Sequence, residues 1–78
     1  MAENPQILLS KIGLRVLRRR QELGLTQEVV AARLGVTAPN VGRIEHGQQN
    51  VTVQTMCKVA EALETTVQEL MFGTGVDT

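Results

Sequence analysis

Thr37, Ala38, Asn40 and Arg43 lie on one side of a short helical pattern between Gly35 and Gly47, and Val41 and Ile44 lie on the other. An arginine in that place can offer its planar fork to O6 and N7 of a guanine, worth roughly 1–3 kcal/mol of discrimination against the wrong base. Ala38 and the Thr37 methyl suit a thymine methyl, and Asn40 suits a base edge or a phosphate. Gln27, beside Thr26, opens the preceding helical pattern, where unpaired amides and the helix dipole favour a phosphate. His46, Gln48 and Asn50 follow the reading segment and are within reach of phosphates, although solvation explains a polar loop equally well. The competing explanation for the whole group is an ordinary solvated helix face.

Catalysis is a poor fit to the same residues. There is one histidine, one cysteine (Cys57), no cluster with metal-ligand spacing and no glycine-rich phosphate loop, so no nucleophile–base pair can be assembled. No enzyme activity, metal or cofactor is expected. Cys57 adjoins the apolar face of a helix and is read as a small, partly buried thiol, and one cysteine cannot make an intramolecular disulfide.

The chain of 78 residues corresponds to one domain close to the lower size limit for an independent core, which makes self-association a plausible supplement. Phe72 is the only aromatic residue, so the core must be aliphatic, as an all-helical bundle permits. The net charge of zero conceals an asymmetry. Residues 1–46 carry seven Arg or Lys against four Glu, and residues 47–78 carry Lys58 against Glu61, Glu64, Glu69 and Asp77. A basic half joined to an acidic half is a directional electrostatic footprint. No apolar run approaches a membrane span, and a cytoplasmic location is expected.

The elements that must hold these residues announce themselves by their caps. Asn4-Pro5 or Ser10 can start a first helix that runs to about Leu23, with Ile12, Val16 and Leu23 on its apolar stripe and Gly24 as its left-handed end. Arg20 falls on that stripe, whereas Arg15, Arg18 and Arg19 are candidate phosphate or solvent charges. Thr26, Thr37 and Thr52 each sit between two apolar residues at staple spacing, predicting helices over about 27–34, 38–46 and 53–63. The Asn40 amide is the natural partner for the Thr37 hydroxyl, because Pro39 has none to give. Val53, Met56, Val59, Ala60 and Leu63 form the apolar face of the fourth helix. Thr66-x-x-Glu69 is a capping box that opens a short fifth helix. Its Val67, Leu70, Met71 and Phe72 offer more apolar surface than so short a helix needs on one side, and they are expected to form a dimer interface. The domain reads as an N-terminal segment over 1–9, partly helical or frayed, a domain over 10–72, and a flexible tail over 73–78.

With these residues in place, the sequence resembles the Xre/Cro-type helix-turn-helix family, which includes the lambda-type phage repressors. The resemblance is carried by Gly24-Leu25-Thr26-Gln27, Ala31, Leu34-Gly35-Val36-Thr37, Ile44-Glu45-x-Gly47 and Val59-Ala60-x-Ala62-Leu63. It implies an all-α, five-helix, lambda-repressor-like fold in which helices 2 and 3 form the helix-turn-helix. It also implies that Thr37, Ala38, Pro39 and Arg43 face bases, that Gln27 anchors helix 2 on the DNA backbone, and that Arg20 and Glu45 form an internal ion pair. Arg19 departs from the pattern, since many relatives have leucine there. The chain's size and its Asn50-Val51-Thr52-Val53 segment are further similar to the small controller proteins of restriction–modification systems.

The expected function is that of a sequence-specific transcriptional regulator, a homodimer on double-stranded DNA whose affinity comes largely from phosphate contacts and falls with salt. The alternative is an antitoxin-type interaction module that also binds its own promoter. A toxin partner is the less favoured of the two, because residues 73–78 make a short tail for wrapping one.

Overall fold

The computed structural model describes residues 4–73, and the expectations for residues 1–3 and 74–78 lie outside them. Five helices follow one another, with no strand among the described residues: α1 (Pro5–Glu22), α2 (Gln27–Leu34), α3 (Ala38–Glu45), α4 (Val53–Ala62) and α5 (Val67–Phe72). Of the two possible starts for α1, the chain uses Asn4-Pro5. The Asn4 side chain accepts from the amides of Gln6 and Ile7, and the helix continues through Ser10 without a break.

The principal contacts close a ring. α1 packs on α3 and α5, α2 on α3 and α4, and α4 on α5. Each helix therefore has two main neighbours and turns its apolar stripe inward. Val16, Val30, Val41, Val59, Leu63 and Leu70 are the largest fully buried side chains at the centre. The core is aliphatic, and Phe72 remains 70% exposed. No helix among the described residues is long and apolar enough to cross a membrane.

Three threonines cap as their spacing predicts. The hydroxyls of Thr26, Thr52 and Thr66 accept from the amides of Val29, Thr55 and Glu69. Thr37 has the same extended backbone but makes no side-chain cap, because the Asn40 amide takes the Thr37 carbonyl oxygen at 3.0 Å instead. The capping box of α5 is half formed, since the Glu69 carboxylate accepts from the Thr65 hydroxyl and not from the Thr66 amide. Two surface assignments are also corrected. Val53 is 76% exposed rather than on the buried face of α4, because Val51, just before the cap, packs against the core in its place. Cys57 is exposed, not partly buried.

The arginines of α1 do something that their spacing does not announce. Arg15 donates to the carbonyl oxygens of Leu70 and Met71, and Arg19 to those of Leu63 and Glu64. From α2, Arg33 donates to the Ala62 carbonyl oxygen. Each guanidinium thus satisfies carbonyls left unpaired at a helix C-terminus, where the dipole also favours a cation. The need is greatest at the end of α4. Glu64 there adopts a left-handed conformation (φ 56) in which a side chain is disfavoured, and its carbonyl oxygen is one of those that Arg19 engages.

α1 and α3 meet backbone to backbone. A β-carbon on Gly13 would stand 2.5 Å from the Glu45 carbonyl oxygen and closer still to that of Ile44. The Gln6 side-chain amide donates to the Gly47 carbonyl oxygen at 2.7 Å, joining the first turn of α1 to the end of α3. Gly13→Ala is expected to lower stability by about 1–3 kcal/mol, since the clash is with backbone that cannot rotate away. Gly42→Ala, whose new carbon would meet only Gln27 side-chain atoms at 3.5 Å or more, is expected to be neutral or stabilising. Urea unfolding of the two variants checks the contrast, and equal midpoints would mean that the α1–α3 contact can loosen without cost.

Candidate nucleic-acid interface

The helix-turn-helix is a short hinge between two helices. Gly35 sits in the left-handed conformation (φ 72), a place where a β-carbon would be strained, and the Val36 amide closes onto the Ala31 carbonyl oxygen at 3.0 Å. Thr37 follows directly and α3 begins. Val41 and Ile44 anchor α3 in the core, which leaves Thr37, Pro39 and Arg43 exposed. Asn40 is half-buried, and Ala38 packs partly against the core, so Ala38 offers less surface than its position on the outer face suggests.

What sets the angle of α3 is a buried carboxylate. Glu45, 5% exposed, takes Arg20 in a fork, with Nε to Oε2 at 2.6 Å and Nη2 to Oε1 at 3.3 Å. The same Oε1 accepts from Gln27 Nε2 at 2.9 Å, and Arg20 Nη1 donates to the Leu25 carbonyl oxygen at 2.9 Å. One carboxylate therefore joins α1, α3 and the start of α2, and no buried side-chain nitrogen or oxygen among the described residues is left without a partner. Gln27, expected to meet a phosphate, is held from behind by Glu45. Its second amide hydrogen remains available at the open N-terminus of α2.

The remaining candidates divide. Arg19 is corrected as a phosphate contact: its guanidinium is turned onto the end of α4, since the carbonyls there are unpaired and close by. His46 Nδ1 donates to the Gly42 carbonyl oxygen at 2.7 Å, which requires the proton on Nδ1 and leaves Nε2 outward. Gln48 and Asn50 are exposed in the loop after α3. Leu70 is corrected as a dimer-interface residue, being 2% exposed and part of the core beneath α5. Phe72 is exposed, and Val67 and Met71 are partly buried against that core. Gln49, which nothing in its spacing singled out, touches both Asn40 and Arg43. Among the described residues no group of three His, Cys, Asp or Glu side chains could hold a metal.

A half-exposed helix following a glycine hinge, braced from behind by a second helix, defines the helix-turn-helix class of domain. A sequence model of that family, described as helix-turn-helix, matches residues 16–70. A protein of Sinorhizobium fredii, described as an uncharacterized HTH-type transcriptional regulator (y4dJ), is 40% identical over 60 residues, spanning 77% of this chain and 78% of that protein. The crystal structure of the restriction–modification controller protein C.AhdI from Aeromonas hydrophila is similar at a TM-score of 0.76 and 39% identity, over 80% of this chain and 94% of that one. The P22 c2 repressor, crystallised with a synthetic operator, shares the fold at a TM-score of 0.75 and 21% identity, over 81% of this chain and 96% of its own. The chain belongs to the helix-turn-helix family of transcriptional regulators.

Two expectations follow from the geometry. Arg20→Ala and Glu45→Ala should each cost about 3–5 kcal/mol by stranding the other charge, and the double variant should cost clearly less than their sum. A double-mutant cycle by urea unfolding measures this, and simple additivity would refute the coupling. Thr26→Ala should cost about 1 kcal/mol through its lost cap, whereas Thr37→Ala should cost much less because its hydroxyl caps nothing. Matched thermal melts compare the two, and an equal loss would place the Thr37 hydroxyl in a cap after all.

Proposed function

We propose that the chain is a sequence-specific regulator that acts as a homodimer on a palindromic operator, each copy laying α3 in a major groove. The observation that carries this reading is the outer face of α3. Its Thr37 hydroxyl caps nothing, and the terminal nitrogens of Arg43 have no partner among the described residues. The helix beneath that face is locked in one orientation by the Glu45 cluster. Few long side chains share the face, so Arg43, with Thr37 and Asn40, carries most of the direct readout. The open N-terminus of α2, with Gln27, supports backbone anchoring.

The 39% identity to a restriction–modification controller protein, over nearly all of that protein, favours the controller type within the family. For the dimer, the exposed Phe72 and the outer parts of Val67 and Met71 form the contact surface, with Leu70 supporting it from inside. Two copies related by a two-fold axis would set their α3 helices about 34 Å apart, one turn of duplex.

Selection of bound sequences from random duplex DNA, with wild type and Arg43→Ala, tests the reading. The wild type is expected to enrich an inverted repeat whose half-sites are centred about one helical turn apart. Arg43→Ala should lose preference at one symmetric pair of positions while keeping much of its general affinity. Enriched sites without two-fold symmetry would sink the homodimer, and an unchanged preference would remove Arg43 from the reading face.

A further inference from the structure

α3 ends at Glu45, Gly47 two residues on has a left-handed backbone (φ 66) that reverses the chain, and the Gln48 amide closes the turn on the Arg43 carbonyl oxygen at 2.8 Å. The reversal brings Gln49 back along the outer side of α3. There its Oε1 accepts from Asn40 Nδ2 and from Arg43 Nε, each at 3.4 Å. Both bonds are long, and the oxygen has a lone pair for each donor.

The chemistry of this contact runs in one direction. Arginine has donors and no acceptor, so the Gln49 atom that faces Nε must be the oxygen. That oxygen in turn demands the nitrogen of Asn40, which orients the Asn40 amide. The two amide orientations are therefore dictated by Arg43 rather than chosen freely. With Nε tied back, Arg43 presents its Nη1 and Nη2 pair end-on, and neither has a partner among the described residues. Asn40 is left with Oδ1 and one amide hydrogen, the pair that suits an adenine edge. An untethered arginine samples many rotamers and gives up that freedom on binding. A tether that already holds the reading conformation removes part of the cost, and it does so for one readout geometry in particular.

We infer that Gln49 is a specificity-determining positioning residue that sets the readout geometry of Arg43 and Asn40 without itself reading a base. The inference rests on α3 being the DNA-reading helix. It identifies a loop residue outside the helix-turn-helix as part of the discrimination.

The test repeats the selection from random duplex DNA with wild type, Gln49→Ala, Gln49→Glu, Arg43→Ala and the Arg43→Ala/Gln49→Ala double variant, with thermal midpoints matched. Gln49→Ala is expected to lower discrimination about three- to tenfold at the positions that Arg43 and Asn40 read, with affinity for unselected duplex nearly unchanged. In the Arg43→Ala background it should cause no further loss at the Arg43 position. Gln49→Glu keeps an acceptor for Arg43, so it should restore the wild-type preference even though its charge weakens binding to DNA in general. Preference left intact by Gln49→Ala would overturn the inference, as would an equal weakening on all sequences. A further loss at the Arg43 position in the Arg43→Ala background would also overturn it, because Gln49 would then read a base itself, whereas a loss confined to the Asn40 position is what its bond to Asn40 predicts. A wild type that enriches no sequence would fail the DNA-reading role first, and the tether with it. A wild-type preference untouched by Gln49→Ala would fail the tether alone.

Discussion

The Glu45 carboxylate is the point on which the arrangement of the helices depends. It is buried, and a buried charge is tolerable only when paired and hydrogen-bonded. Arg20 and Gln27 supply those partners from two different helices, so the angle at which α3 leaves the core is the angle at which all three bonds can form. The close approach of α1 to α3 at Gly13 serves the same end, since it brings Arg20 and Glu45 within reach across a backbone contact. A domain of this size has few apolar residues with which to specify orientation. A polar cluster with fixed geometry does so where aliphatic packing alone would leave the helix free to slide.

The basic half of the chain has a second use besides attracting an anion. Arg15, Arg19 and Arg33 lie across the C-termini of α4 and α5, and Arg20 lies inside the Glu45 cluster. These four arginines are thus structural ties. Their charge still contributes to the field of that half, but it does not concentrate on α3, where Arg43 stands among short side chains. Discrimination by such a face depends on how well a few groups are held. The tether from Gln49 and the brace from Glu45 both act on that holding, one from the loop and one from behind.

The chain's likeness to a restriction–modification controller at 39% identity and to the P22 c2 repressor at 21% identity places it in a fold that tolerates wide sequence change. What persists in such a frame is the geometry of the hinge and the orientation of the helix beyond it. The exposed residues of α3 are under no packing constraint and are free to differ from one regulator to another. The fold therefore limits the class of function, and the outer face of α3 is where regulators that share it can differ.

The sequence by itself determined the helices, because their signals are local. Threonine caps, glycine stops and a 3.6-residue apolar rhythm act over three or four residues, and the five elements fall within a residue or so of the ends those signals indicate. The solvent side of α3 was legible for the same reason, and the Arg20–Glu45 pairing was legible through family resemblance. Only the tertiary structure decided which arginines tie helix ends, that Leu70 lies in the core while Phe72 lies outside, and that Gln49 reaches Arg43. It also decided that the Thr37 hydroxyl caps nothing, although its sequence pattern matches that of the threonines that do cap. Each of these outcomes depends on where a second element lies. Arg19 and Arg43 are the same residue type, and local spacing makes both solvent-side residues of their helices without saying what lies across from either. Arg19 has the open end of α4 across from it, and Arg43 has solvent and the amide oxygen of Gln49.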